Sequence, residues 1–384
     1  MIVNVLPAQT YQRLRINASE CDADTWNNIS EQNTAEETLP SGVSYQTGVL
    51  RAEAEAIFGD LHARMVANDV QAVPPNGMTY DAEHTQNVRT GMGVEVDALY
   101  EEKGIRSTVY TIAENVEVSE PIVLVSEITD GVAQLRSQVI HAKAGAHVTV
   151  IMEYRASENA SGFFGNSTKI LAERGAQVQL VQVQRLSEKC EHFDDVGGIA
   201  EEDAAVEIVR LDLGAAKVWN GCCISLLGDR SRFENHTGFY CAEDSRYDMN
   251  YVAEHRGKKT ESDMDFDGVL KKGAQKTFRG SLDFKKGSSG SVGAENEDVL
   301  LLDDDVINRS IPLILCQVED VDGHHGATIG QIPEEILFYM SSRGLSEEAA
   351  RQLVIRSRLL KVAARIPQDA LREQLQKEIV EILQ

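Results

Sequence analysis

The run Gly323-His324-His325-Gly326 places two neighbouring histidines between glycines, and Ala327-Thr328-Ile329-Gly330 follows it. Neutral imidazole ligates iron and other first-row metals readily. The run reads as a strand, where adjacent side chains point to opposite faces. His324 and His325 are both candidates for binding a metal or cofactor, but they cannot readily serve one site together. Gly326 would let backbone or a bound group approach without a Cβ in the way.

Other residues of reactive type read more plainly. Cys222-Cys223 would point to opposite faces of a strand, so the pair does not suit one metal and reads as buried structural cysteine. The six cysteines contain no C-x-x-C pair, which argues against a zinc ribbon or a disulfide framework. Asp303-Asp304-Asp305 follows an apolar run and reads as a solvated turn. Asp263, Asp265 and Asp267 alternate, so on a strand they would share a face. They could then act as general acid and base, or as cation ligands, in a carbohydrate lyase or hydrolase. Lys271-Lys272 and Lys285-Lys286 read as exposed turn charges. No G-x-x-x-x-G-K-[ST] occurs, so ATP hydrolysis is not expected of this chain.

The elements that would position these residues fall into three regions. Residues 1–104 are mixed and partly helical, with the clearest helical spacing from Val49 to Val70 and a loop at Pro74-Pro75-Asn76-Gly77. Residues 105–330 carry short runs rich in Val, Ile and Thr: Ser107 to Ile112, Pro121 to Val125, His147 to Met152, Gln177 to Val183 and Val206 to Leu211. Small-residue pairs recur before strand runs at Gly145-Ala146, Gly175-Ala176 and Ala204-Ala205. A long series of strands without crossover helices must close its edges as a sandwich, a barrel or a β-helix. The rung-like recurrence favours the β-helix. Residues 331–384 are helical. Pro333, Glu334 and Glu335 open one helix, Gly344 closes it, Ser346 caps a second, and Leu371, Leu375, Ile379 and Ile382 form the stripe of a third.

The chain has 384 residues, 42% of them hydrophobic and 26% charged, with a formal net charge of −24. Such a surface repels nucleic acid and anionic lipid, so neither is an expected partner. The start of the sequence lacks the pattern of a signal peptide, no apolar run is long enough to span a bilayer, and the expected compartment is the cytoplasm.

Two longer stretches carry a more specific signal. The first runs from His255 to Gly280 and includes Asp267-Gly268-Val269-Leu270-Lys271-Lys272-Gly273-Ala274. The second joins Val299-Leu300-Leu301-Leu302-Asp303 to the histidine run and to Leu337-Phe338-Tyr339-Met340-Ser341-Ser342-Arg343-Gly344. Together they resemble the SufB/SufD family of the SUF iron–sulfur cluster assembly system, and the H-G-A-T-x-G form resembles its D-type members. The resemblance implies a mainly β fold, a right-handed parallel β-helix core flanked by N- and C-terminal helical segments. It implies a non-catalytic scaffold that pairs with a SufB-type subunit, docks a SufC-type ATPase and can form a homodimer alone. Iron or an iron–sulfur cluster would be held only transiently at a subunit interface. His325 would be the metal ligand, His324 a weaker one, and Phe338, Tyr339 and Arg343 would bind a partner. The chain departs from the family in having Gly323 where many D-type members carry a cysteine, and no cysteine near Glu297, where B-type members have one. Both departures remove a soft thiolate and favour an accessory role.

Overall fold

In the computed structural model, residues 1–8, 16–22, 26, 29–31, 36–59, 61 and 88–383 are described. From Ser107 to Gly330 the backbone winds into a parallel β-solenoid of about eight turns. Each turn gives one strand to each of two facing sheets. Gln177–Arg185, for example, pairs in parallel with His147–Ala156 before it and with Ala205–Asp212 after it. A turn takes 28 residues where Gln179 bonds Glu207 and 31 where Ser289 bonds Asp320.

The small-residue pairs sit at one corner of each turn. Gly145, Gly175 and Gly273 have φ of 66°, 69° and 71°, in the left-handed region that glycine enters without a Cβ penalty. Asp203 and Asp244 adopt the same sign of φ. The next residue, Ala146, Ala176, Ala204 or Ala274, is fully buried. The third pair is therefore Asp203-Ala204, one residue before the expected Ala204-Ala205. Within the strands, alternate residues such as Val178, Leu180, Phe164, Phe266 and Phe278 fill the lumen. Burying each such side chain contributes about 1.5–3 kcal/mol.

Helices cover part of the outer face of each sheet. The helix Val94–Glu102 lays Val96, Leu99 and Tyr100 on Phe163, Phe193 and Trp219. Between them lies a buried ion cluster: Lys169 Nζ is 2.7 Å from Glu55 and 3.1 Å from Asp97, and Arg51 bonds both carboxylates. The expected helix from Val49 is shorter among the described residues. Val49 ends the strand Val43–Val49, and a helix runs only over Arg51–Glu55 with a 3-10 turn to Phe58. Its later part, and the Pro74–Gly77 loop, lie outside the described residues.

The strand Val43–Val49 pairs antiparallel with Ser107–Ile112, and Glu36–Thr38 does so with Ile122–Ile128, so the chain closes the first turn of the stack with its own N-terminal region. At the other end, Glu334–Ser342, Glu347–Ala363 and Asp369–Ile382 are helices. The second and third bury Leu359, Val362, Leu375 and Ile379 against Val181, Val209 and Leu211 of the outer sheet face. Ser346 caps the second by accepting the Ala349 N–H at 3.2 Å, and Gly344 has φ 94°. Lys285 is not an exposed turn charge as expected: it is buried and 2.7 Å from Asp283. No helix among the described residues is long and apolar enough to cross a membrane.

Candidate functional site

The last turn of the solenoid consists of Ile307–Cys316 on one sheet and Val321–Gly330 on the other, and each has a strand neighbour on only one side. A Cβ built on Gly323 would meet Ile314 and Phe284 at 3.0 and 3.1 Å, so this position faces the lumen. His325 is two residues on and faces the same way. Because no further turn among the described residues lies over it, it is exposed at the mouth of the stack. His324 faces outward, with Nε2 3.0 Å from Asp322 Oδ1. The two histidines diverge, as strand geometry requires. Gly326 is not demanded by space, since an added Cβ would meet only Asn296 Oδ1 at 3.3 Å.

Ionisable groups continue from His325 into the lumen. Glu295 is its register partner one turn deeper. The Glu295 carboxyl is buried and reaches across to the facing sheet, where a Cβ on Gly280 would lie 2.4 Å from it. Burial pushes this carboxyl up to about 7, and its Oε2 has no hydrogen-bond partner. Lys276 pairs with Glu297 and donates to Ser310 Oγ at 3.2 Å. Burial pulls its ammonium down to about 7. The mouth thus presents one imidazole above a buried acid and a buried ion pair.

Of the cysteines, only Cys316 is exposed. It pairs with Phe284, so it also faces the lumen side of the last turn. Gly323 lies against Ile314, and the chain reverses between the two strands, so Cys316 sits near the turn while His325 lies further along. The sequence reading had not singled out Cys316. Cys222 lines the lumen and Cys223 the outer face, both buried, and burial pushes both thiols up. As buried thiols they make poor ligands.

Phe338 and Tyr339 are 77% and 59% exposed on the helix that follows the mouth, and the Arg343 guanidinium lies 5.4 Å from the Tyr339 ring centroid. Large apolar side chains left this open on a short helix form a ready contact surface. Asp263, Asp265 and Asp267 do share the outward face of Glu261–Leu270. Asp267, however, holds Lys361 of the covering helix at 2.8 Å, and the Asp265 carboxylate is 3.6 Å from His236.

Comparison with known proteins gives a consistent result. The SufBD core domain of the SUF system for FeS cluster assembly matches residues 125–358. The iron–sulfur cluster assembly protein SufD of Bacillus subtilis (strain 168) is 25% identical over 268 residues, 69% of this chain and 61% of that protein. An iron–sulfur cluster assembly SufBD family protein of Staphylococcus epidermidis is 22% identical over 246 residues, 64% of this chain and 53% of the relative. A SufBD family protein of Mycobacterium tuberculosis is 25% identical over 201 residues, 52% of this chain and 24% of the relative. The matched segment spans less than two thirds of each of these relatives.

Proposed function

The chain belongs to the SufB/SufD family of iron–sulfur cluster assembly proteins, closest to SufD, and from that premise we propose that it is a non-catalytic scaffold subunit. It pairs with a SufB-type subunit through the last turn of its solenoid and docks a SufC-type ATPase through its C-terminal helices. The observation that carries this reading is the open turn with His325 facing the lumen at its edge. An unpaired strand offers a full row of N–H and C=O groups to another chain. Pro312 has no N–H to offer from Ile307–Cys316, whereas Val321–Gly330 contains no proline. The strand carrying His325 is therefore the better edge for a partner strand. A single imidazole cannot hold an iron–sulfur cluster, which needs about four ligands. A cluster or iron ion bound by His325 is cargo held transiently, with its remaining ligands supplied across the junction. Without the SufB-type partner, a second copy of this chain can cover the same edge.

The ATPase contact rests on Phe338, Tyr339 and Arg343. Removing everything after Gly330 is a poor test, because the following helices bury Val209 and Leu211. Point substitutions avoid that. The complex is co-expressed with the SufB-type and ATPase subunits and purified anaerobically, and iron and sulfide are counted. His325→Ala is expected to leave the subunits together while iron and sulfide fall. Phe338→Ala with Tyr339→Ala is expected to release the ATPase without lowering the Tm of the isolated chain. Unchanged iron and sulfide in His325→Ala would refute the ligand role.

A further inference from the structure

Away from the mouth, the outward face of the second sheet carries an arrangement outside the proposed scaffold site. Glu207, Glu234 and Asp263 are register partners on three successive turns. Their backbones are about 4.8 Å apart, and like charges placed directly opposite each other are destabilising. His236 lies two residues after Glu234 and shares its face. One ligand atom from each of Glu207, Glu234 and His236 lies within 4.8 Å of the others. His236 Nε2 is 3.7 Å from Glu234 Oε2, too far for a hydrogen bond.

A row of surface carboxylates alone says little. The histidine is what points to a ligand. His236 is only 3% exposed, and its buried Nε2 has no hydrogen-bond partner. A buried imidazole nitrogen left without a partner is destabilising, and this one lies toward the Glu234 carboxylate without being bonded by it. Behind the ring, Nδ1 is 3.6 Å from Asp265 Oδ2. At that distance the carboxylate does not hydrogen-bond the ring, but its negative charge adds to the field that favours a cation at the imidazole. Gln179 donates to Glu207 Oε2 at 2.9 Å, which orients that carboxylate.

We propose that Glu207, Glu234 and His236 bind a divalent first-row transition metal. One imidazole and two carboxylates suit zinc, iron(II) or manganese(II), whereas calcium and magnesium prefer all-oxygen shells. The ion would neutralise the carboxylate ladder and would tie two adjacent turns together. Glu234 is half exposed, so the open side of the ion faces solvent and water completes its shell. The site stands on the geometry of this face alone and is independent of His325 and of cluster assembly.

The test is calorimetric titration of the full-length chain with zinc, with calcium as the comparison ion. The wild type is expected to bind one more equivalent of zinc than His236→Ala or Glu234→Gln. Asp265→Asn is expected to keep that equivalent with weaker affinity, because it removes one nearby negative charge. Glu234→Gln preserves size at an exposed position, so it carries the test even if His236→Ala does not fold. Equal zinc stoichiometry and affinity in wild type and Glu234→Gln would overturn the proposal. So would calcium binding as tight as zinc, which would identify a plain acidic patch.

Discussion

Asp195 provides a sharp test of how the N-terminal segment is held on the solenoid. It faces outward from Lys189–Ala200, fully buried. Its Oδ1 accepts the Met92 N–H at 2.8 Å, and its Oδ2 has no partner. Burial, helped by the nearby Asp97 carboxylate, raises its pKa from 3.8 to about 7. In the unfolded chain the group ionises near its ordinary value. Stability linked to its proton is therefore fully present below about pH 4 and is lost as pH rises toward about 7. Roughly three pH units at about 1.4 kcal/mol each give about 4 kcal/mol. Asn keeps the acceptor for Met92 and cannot ionise. Any constant offset from its new NH2 group is the same at every pH and cancels in a comparison between two pH values. Between about pH 5 and about pH 8, the stability of Asp195→Asn relative to wild type should rise by about 3 kcal/mol. Urea unfolding followed by circular dichroism at both pH values measures this. A stability difference between the two proteins that does not change with pH would refute the reasoning.

Two further outcomes follow from the same packing. Lys169→Met removes one of the cations that hold the buried Glu55 and Asp97 carboxylates, which should cost about 3–5 kcal/mol; hydrogen exchange should speed up first in Val94–Glu102. Gly280→Ala forces a methyl group into the Glu295 carboxylate and should cost about 1–3 kcal/mol. Adding Glu295→Ala should recover most of that, giving a favourable coupling in a double-mutant cycle, and strictly additive effects would show that Glu295 does not reach across the lumen.

Part of the solenoid was legible in the sequence, for a physical reason. The strands expected at His147, Gln177 and Val206 all belong to the second sheet, where each strand begins with a solvent-facing alternate residue: the burial of Gln177–Arg185 starts exposed, buried, half-buried. Farther along the same strand the covering helices bury both faces, the alternation fades, and the expected ends fall one to four residues short. Several strands of the first sheet show little alternation, because past their first residues both faces are buried. Ser161–Ala172 and Lys189–Ala200 also carry Asn166, Lys169, Asp194 and Asp195 inside, residues that a sequence reading assigns to loops. The Glu207–Glu234–His236 group was equally hidden. Its members come from neighbouring turns, and turn length varies, so the register that joins them cannot be counted off the sequence.

The two ends of the stack are built differently, and that difference bears on function. A solenoid needs a cap at each end, since a bare turn exposes unpaired backbone groups and its apolar interior. Here the chain provides one cap itself, with Glu36–Thr38 and Val43–Val49 turned antiparallel against the first strands. At the far end, among the described residues, no strand follows Val321–Gly330; the chain turns away into helices that lie on the outer sheet face instead. The lumen just inside that end holds Glu295 and Glu297 where the turn before holds Met264 and Phe266, and Lys276 where it holds Tyr247. A purely apolar last turn would stick to any exposed hydrophobic surface. Charges set one layer down make loose association costly, because a partner that covers the mouth without satisfying Glu295 deepens its desolvation. A partner able to donate a hydrogen bond there, while pairing with the His325 strand, avoids that cost. The open end therefore selects among partners as well as accepting one.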